Sequence, residues 1–250
     1  MSSTSRIFES APTKRGPRPN KLRLGRLLKV MWILLLLLFV RVMYLIVYEY
    51  HRYFPPDFTS GFLTDRHGYF WGIYCAAFYS HIAIGPIVLL IAVFLMLSGS
   101  GNKYLKRFTH LHRPLGKLQF VLVVFLLTPT GMVMSTRAAG AVAAMAFFLL
   151  SVATAFSMIA AVWHVRQGDY ATHRLWATRC FLMLCSPLLL RLMQGAVITL
   201  DYDSQVTYPY SAWISWALPL LMFEINRLIK DVKKSNAANQ TTRSFSLRGD

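Results

Sequence analysis

Two histidines of this sequence occur in nearly the same local context, and their imidazoles could bind an iron centre. His112 is followed by Arg113 in the segment HRPLG, and His173 is followed by Arg174 in the segment HRLWATR. Imidazole is a common axial ligand of haem iron. Each histidine precedes a long apolar run of the chain. We therefore predict that His112 and His173 form a haem b site, with Arg113 and Arg174 as further cofactor-binding residues.

A haem held by two histidines requires that both lie at a similar depth on facing helices. His112 and His173 meet that condition near one face of the membrane, and His164 meets it as well, so His164 remains an alternative ligand. His81 lies deeper and has no second histidine at its depth. A competing interpretation is that the shallow histidines are only solvated residues at helix ends. The spacing of the motif does not decide between the two.

Three further residues that could carry charge or bind a ligand lie inside different apolar runs. These are Arg41, His81 and Arg191, and counting from the predicted helix ends places each about 10–16 Å below the same membrane face. An arginine in the middle of a membrane helix costs about 2.5–3.5 kcal/mol, so a retained one usually faces a cavity, a partner or a ligand. No acidic residue lies at that depth, which favours an anionic or metal-containing ligand. Alternatively, the long arginine side chains reach the membrane surface.

The elements that carry these residues are predicted to be membrane helices. Hydrophobic residues make up 55% of the 250 residues and charged residues 15%, and the mean hydropathy is +0.43. A helix needs about 20 residues to cross the apolar core of a bilayer. Six runs are long enough, at 30–48, 70–98, 118–136, 141–163, 176–199 and 210–228. The predicted fold class is an all-α polytopic bundle of six transmembrane helices, in which prolines kink several of the helices.

The distribution of charge predicts the orientation of the bundle. Most lysines and arginines lie in the two tails and in the loops on one side, whereas the other side carries only Arg52, Arg66 and Arg137. By the positive-inside rule both termini are cytoplasmic and the location is the cytoplasmic (inner) membrane. The predicted divisions are a basic tail at 1–29, a transmembrane domain at 30–228 and a disordered tail at 229–250. The net charge of +17 is explained by anionic lipids as partners. A nucleic-acid partner is not expected, because no recognition module accompanies the basic tail.

One buried ion pair is also expected. Arg179 and Glu224 both lie slightly more than one turn inside the cytoplasmic boundary, on the fifth and sixth predicted helices. A short loop makes these helices neighbours, so the two side chains can neutralise each other. We interpret this pair as structural.

The sequence resembles a known family along about half of its length. His81 with Gly85, the segments HRPLG at 112–116 and HRLWATR at 173–179, and then Arg191 are similar to the pattern of domain-of-unknown-function family 2306. The resemblance covers roughly residues 70–200. It implies a multi-pass membrane bundle and no established activity. More loosely, the helix number and histidine placement are similar to cytochromes of the b561 type, which hold two haems with two histidine pairs.

Three functions remain open at this point, and the sequence does not decide whether the protein is an enzyme. The first is transmembrane electron transfer through haem b, with a quinol or another redox partner as electron donor. The second is a carrier of small anions or protons that uses Arg41, His81 and Arg191. The third is a membrane scaffold or assembly factor. An absorption spectrum would separate the first from the other two.

Overall fold

The computed structural model describes residues 21–59, 61–64, 66–99 and 106–246, and this part of the chain is helical almost throughout. Short 3-10 turns and one π-helical stretch, Leu122–Leu127, separate some of the α-helices. The α-helices are α1 (Lys21–Tyr48), α2 (His67–Phe70), α3 (Ile73–Gly99), α4 (His112–Val121), α5 (Thr128–Ser135), α6 (Gly140–Arg166), α7 (Tyr170–Leu184), α8 (Ser186–Thr199) and α9 (Ser204–Ser246). The all-α class is therefore confirmed.

Four stretches of helix within the described residues are long and apolar enough to cross a membrane. They are Ile73–Gly99, Arg107–Ser135, Gly140–Arg166 and Tyr170–Thr199. These correspond to the second to fifth of the six predicted runs. The first and sixth runs lie on α1 and α9, and their crossing of the membrane stays a prediction.

The helices extend beyond the apolar runs that predicted them. The third span begins at Arg107. The sequence predicted its start near residue 118, because charged residues in the first turns lower the local hydropathy. His112 consequently lies within this span. At the other end of the chain, α9 continues to Ser246, beyond residue 228, where the predicted transmembrane domain ends. The disorder predicted for 229–250 stays a prediction. Residues 1–20 of the predicted basic tail and 247–250 of the second tail lie outside the described residues.

Proline residues mark the places where the helices depart from regular geometry. The π-helical stretch joins α4 to α5 and ends two residues before Pro129. The fifth predicted helix divides into α7 and α8 at Cys185, two residues before Pro187. Pro86 lies inside α3. A proline lacks the N–H of a regular helical hydrogen bond and crowds the preceding turn.

Residues 49–72 fold over one end of the bundle, which we call the cap end. Aromatic and aliphatic side chains form its buried cluster, in which Leu63 and Phe70 are 0% exposed and Phe78 of α3 is 1% exposed. Phe78 packs edge-on against Tyr53 and is stacked on Phe62. Aromatic pairs of this kind add attraction beyond the surface they bury. The cap end is therefore a compact aromatic core.

Hydrogen bonds attach the cap to the helices. The Tyr50 hydroxyl donates to the carbonyl of Ile82, which is the carbonyl that Pro86, four residues later, leaves without its helical donor. The Arg66 guanidinium donates to the Arg137 carbonyl, 2.9 Å away, and to the Tyr74 hydroxyl, 3.0 Å away. The segment between α5 and α6 is thereby tied to the cap as well.

The opposite end, which we call the hairpin end, contains residues 106–111 and the short 167–169 connection. α6 and α7 pack along each other and meet through this connection. Asp169 caps α7 by accepting a hydrogen bond from the Thr172 N–H at 3.0 Å. Farther along α6, Ala143 and Ala146 are fully buried with Ala212 of α9, and such small residues let two helices approach closely. These contacts hold α7 and α9 against α6.

Candidate functional site

His112 begins α4 at the hairpin end, where it packs against the last turn of α3. Its Nδ1 lies 2.9 Å from the Ser98 hydroxyl. That hydroxyl donates its one proton to the Leu95 carbonyl, 3.1 Å away. The Ser98 oxygen accepts a hydrogen bond from His112 Nδ1 when its own proton stays on that carbonyl, and it donates to Nδ1 when the hydroxyl turns toward the ring. In the first arrangement, a neutral imidazole has its free electron pair on Nε2.

His173 lies in the first turns of α7 and has the same hydrogen-bonding arrangement. Its Nδ1 lies 2.8 Å from the carbonyl oxygen of Ala161 on α6. A carbonyl can only accept, so the proton is on Nδ1 and the free electron pair is again on Nε2. The position of the ring is fixed by the Asp169 cap and by the packing of α6 on α7.

The structure brings these two histidines to the same end of the bundle. His173 is close enough to act electrostatically on His112. One turn after each histidine the chain carries a small residue, Gly116 in α4 and Ala177 in α7. A side chain at Gly116 would meet nothing within 4 Å. Residues four apart lie on the same helix face, so there is open space directly beside His112.

His164 occupies a different position, at the end of α6. Its Nδ1 is 3.4 Å from a carboxylate oxygen of Asp169. This nitrogen is buried and forms no hydrogen bond with a described residue. The backbone carbonyl of His164 accepts hydrogen bonds from the backbone N–H groups of Gln167 and Asp169. His164 thus closes the connection between α6 and α7. The pKa of Asp169 is lowered mainly by the hydrogen bonds from Thr172, and the neighbouring His164 adds to this effect.

The two arginines that follow the paired histidines are exposed. Arg113 lies in the first turn of α4 and Arg174 in the first turns of α7. Neither forms a salt bridge with an acidic residue in the described part of the chain. Both charges are therefore accessible beside His112 and His173.

His81 lies deeper, on α3, and contacts the third span rather than an arginine. Its Nδ1 is 3.1 Å from the Thr130 hydroxyl, which itself donates to the Leu126 carbonyl at 2.6 Å. Gly131 separates His81 from Ser151 of α6. A Cβ at Gly131 would lie 2.7 Å from the Ser151 hydroxyl oxygen and 3.4 Å from a His81 ring carbon. Only glycine permits this approach of α3, α5 and α6.

Arg41 and Arg191 are both exposed, and no described contact joins either one to His81. Arg191 lies near the cap, where burial raises the pKa of Tyr50 to about 12 and the positive charge of Arg191 opposes that rise. The pKa of Tyr53 is also raised by burial and is opposed by Arg191. The structure thus places Arg191 beside cap tyrosines and His81 beside Thr130.

The predicted pair of Arg179 and Glu224 is confirmed. Arg179 Nε lies 2.6 Å and Nη2 3.1 Å from the two carboxylate oxygens of Glu224. Arg227 approaches the same carboxylate at 3.3 Å, and the Arg179 guanidinium lies 4.2 Å from the centre of the Trp176 ring. The sequence did not reveal that this pair forms one wall of a cavity of about 370 Å³ between α6, α7 and α9.

The described residues contain no group of three or more side chains that could together hold a metal ion. A closed structural zinc site takes four protein ligands. Imidazole nitrogen can bind metals and haem iron, and His112 and His173 are near enough to influence each other electrostatically.

Comparison with known proteins identifies the family but gives no activity. Residues 78–226 match the family described as "Predicted membrane protein (DUF2306)". No curated protein and no solved structure matches the chain. The match covers more than half of the 250 residues, and it includes His81, His112, His173 and Arg191. The chain therefore belongs to the DUF2306 family of predicted membrane proteins.

Proposed function

We propose that this protein binds haem b between His112 and His173 and transfers electrons within the membrane. One observation supports this most directly. Both imidazoles are held through Nδ1, by Ser98 and by the Ala161 carbonyl, so that Nε2 of each ring is left for a ligand. Metal-binding histidines in proteins are typically oriented by a hydrogen bond of this kind from the other ring nitrogen.

The surroundings of the two histidines are consistent with a large flat ligand. Gly116 leaves open space beside His112, and Ala177 is the corresponding small residue in α7. Gln119 lies on the same face of α4, nearly two turns further, and is 2% exposed. Its amide nitrogen donates to the Val88 carbonyl at 3.1 Å, while its oxygen has no partner among the described residues. A buried acceptor without a donor usually marks the place of a missing water or ligand.

The exposed arginines supply the complementary charge. Haem carries two propionate groups, and arginine forms short, charge-assisted hydrogen bonds with carboxylates. Arg113 and Arg174 each follow one of the histidines directly and have accessible charges. In this proposal His112 and His173 bind the iron and the two arginines bind the propionates. Bound haem supplies a centre that accepts and releases one electron at a time.

The carrier hypothesis has less support from the described contacts. It requires Arg41, His81 and Arg191 to line one site. His81 instead contacts Thr130, and Arg191 lies near the cap tyrosines. Replacing Arg191 with Met tests whether this residue holds a ligand, because the loss of stability should then depend on the presence of a membrane extract. An equal loss with and without the extract would make Arg191 structural.

The haem proposal is tested by the absorption spectrum of the purified protein. We expect a Soret band and a reducible α-band, both lost in His112→Ala and in His173→Ala. His110→Ala is the matched control, because His110 is exposed and its Nδ1 bonds to the Arg107 carbonyl within its own turn, 3.0 Å away. His164→Ala should keep the spectrum as well. A colourless wild-type protein, even after haem supplementation during expression, would refute the proposal and leave the carrier or scaffold functions.

We also propose that the bundle crosses the cytoplasmic membrane six times with both termini in the cytoplasm. The excess of positive charge on the tails and on the loops of the hairpin end supports this orientation. A reporter fused after residue 250 should be active only in the cytoplasm. Reporters inserted near Asp57 and near Asp203 should be active only outside it, and the reverse pattern would refute the orientation.

A further inference from the structure

The cavity between α6, α7 and α9 is separate from the two paired histidines and is built like a ligand site. Its volume is about 370 Å³, within the range of roughly 300–1,000 Å³ typical of small-molecule sites. Trp176 connects the two regions, since it lies one turn after His173 on α7. The lining residues used below are Phe156, Ser157, Trp176, Arg179 and Glu224.

Aromatic rings form one side of the cavity. Phe156 and Trp176 meet edge to face, with their ring centres 5.3 Å apart. Phe156 is 60% exposed although it lines the cavity, so the cavity reaches the lateral surface of the bundle. Gly140–Arg166, the helix that carries Phe156, is one of the candidate spans. A ligand can therefore enter from the bilayer and stack on an aromatic wall.

Polar groups that line the cavity offer hydrogen bonds. Ser157 is 3% exposed, lines the cavity, and its hydroxyl makes no hydrogen bond with any residue in the described part of the chain. This hydroxyl is therefore available to donate a hydrogen bond to a ligand in the cavity. Arg179 adds a fixed donor group, because its bidentate pairing with Glu224 holds the guanidinium in one orientation.

The charge of the cavity selects against an ionic ligand. The Arg179 charge is neutralised by Glu224, and Arg227 is balanced by Asp231 at 3.6 Å. An anion at this level of the membrane would lose its hydration without gaining a net positive charge. A neutral molecule avoids this cost. The cavity thus fits a membrane-soluble, uncharged, flat ring that carries hydrogen-bonding oxygens.

We propose that this cavity binds the ring of a quinone-class molecule. The ring packs against Phe156 and against the part of Trp176 that Arg179 leaves uncovered, while its oxygens accept hydrogen bonds from the Ser157 hydroxyl and from Arg179. The proposal concerns binding alone and does not rest on haem. It is therefore tested on protein prepared without haem as well as on the protein as purified.

The test is a titration of the full-length protein in detergent with decyl-benzoquinone, followed by tryptophan fluorescence. Quinones quench indole emission at short range, so we expect saturable quenching in the wild type. The saturable component should disappear in Trp176→Phe and persist in Trp163→Phe. Trp163 is the matched control, because it lies on α6 but is 62% exposed and does not line the cavity. Equal, non-saturable quenching in both variants would refute the proposal.

Two further variants separate binding from folding. Ala153→Phe fills the cavity without touching the ion pair and should abolish saturable quenching, whereas Ser157→Ala should weaken the affinity about tenfold through loss of one hydrogen bond. Far-ultraviolet circular dichroism and the thermal midpoint check that each variant is folded. A titration with oleate is run in parallel. If oleate displaces the quinone at lower concentration than the quinone itself binds, the cavity is a lipid site and the proposal is wrong.

Discussion

The two ends of the bundle differ in whether their polar side chains have hydrogen-bond partners. At the cap end, the tyrosine hydroxyls and the Arg66 guanidinium are matched with carbonyls, and Leu63 and Phe70 are fully buried. At the hairpin end, Gln119 keeps a buried oxygen without a partner, and the two paired histidines each keep a free ring nitrogen. Satisfied contacts stabilise a fold, while unsatisfied ones are available to a ligand. In our proposal, the cap contributes mainly to stability and the hairpin end binds the ligand.

The largest expected effect comes from the aromatic core of the cap. Phe78→Ala should lower the free energy of unfolding by about 3–5 kcal/mol, because the buried ring leaves a cavity among its neighbours. Unfolding is measured by titration with sodium dodecyl sulfate. The absorption spectrum and the quinone titration of the protein that remains folded should be unchanged. A loss of the haem bands in this folded fraction would break the division between the two ends.

The second prediction concerns the ion pair beside the cavity. Arg179→Ala should cost about 3 kcal/mol of unfolding free energy, because it leaves the Glu224 carboxylate without its main partner. The side chains are 15% and 30% exposed, which favours the lower end of the usual range. The double variant Arg179→Met with Glu224→Met should recover most of the loss. If the double variant is no more stable than Arg179→Ala, charge neutralisation is not the role of the pair.

How much of this could be read from the sequence differs between the two ends. The sequence predicted that His112 and His173 lie at one depth, and it predicted the pair of Arg179 and Glu224, because both follow from counting along apolar runs. The partners of the histidines could not be predicted. The Ala161 carbonyl is a backbone group that any residue type supplies, and Ser98 lies in an apolar run with no signal of its own.

The cap was the part that the sequence described least well. Its tyrosines are typical of the membrane interface, and only the structure shows that Tyr50 satisfies the Ile82 carbonyl. Arg191 was expected beside His81 and lies instead near Tyr53. Depth along a helix is readable from a count of residues. The direction of a side chain around a kinked helix is not, because each proline changes the rotation of the turns that follow.

The third prediction tests the bond between the cap and the kinked helix. Tyr50→Phe should lower the free energy of unfolding by about 1–2 kcal/mol, because the Ile82 carbonyl loses its donor while the ring remains. Tyr48→Phe is the control, since Tyr48 is 58% exposed. Both variants are compared by detergent-induced unfolding. Equal stability of the two would mean that water replaces the Tyr50 hydroxyl.

The smallest expected effect lies at the α6–α7 connection and depends on pH. The pKa of Asp169 is lowered from 3.8 by the hydrogen bonds from Thr172, so the ionised carboxylate stabilises the folded state. This contribution is complete above pH 3.8 and is lost as the pH falls through the lowered value. Asp169→Ala should therefore reduce the thermal midpoint at pH 7 and have less effect at acidic pH. A difference that does not shrink on acidification would contradict this role.

The π-helical stretch Leu122–Leu127 sets the rotational phase between the two halves of the third span. Such a stretch contains one residue more than a regular α-helix of the same length, and one residue turns the helix by about 100°. His112 and Gln119 precede it, while Thr130 and Gly131 follow it. Deleting one residue from 122–127 would rotate one half of the span relative to the other. Either the contacts of His112 and Gln119 or the contact of Thr130 with His81 would then be kept, but not both.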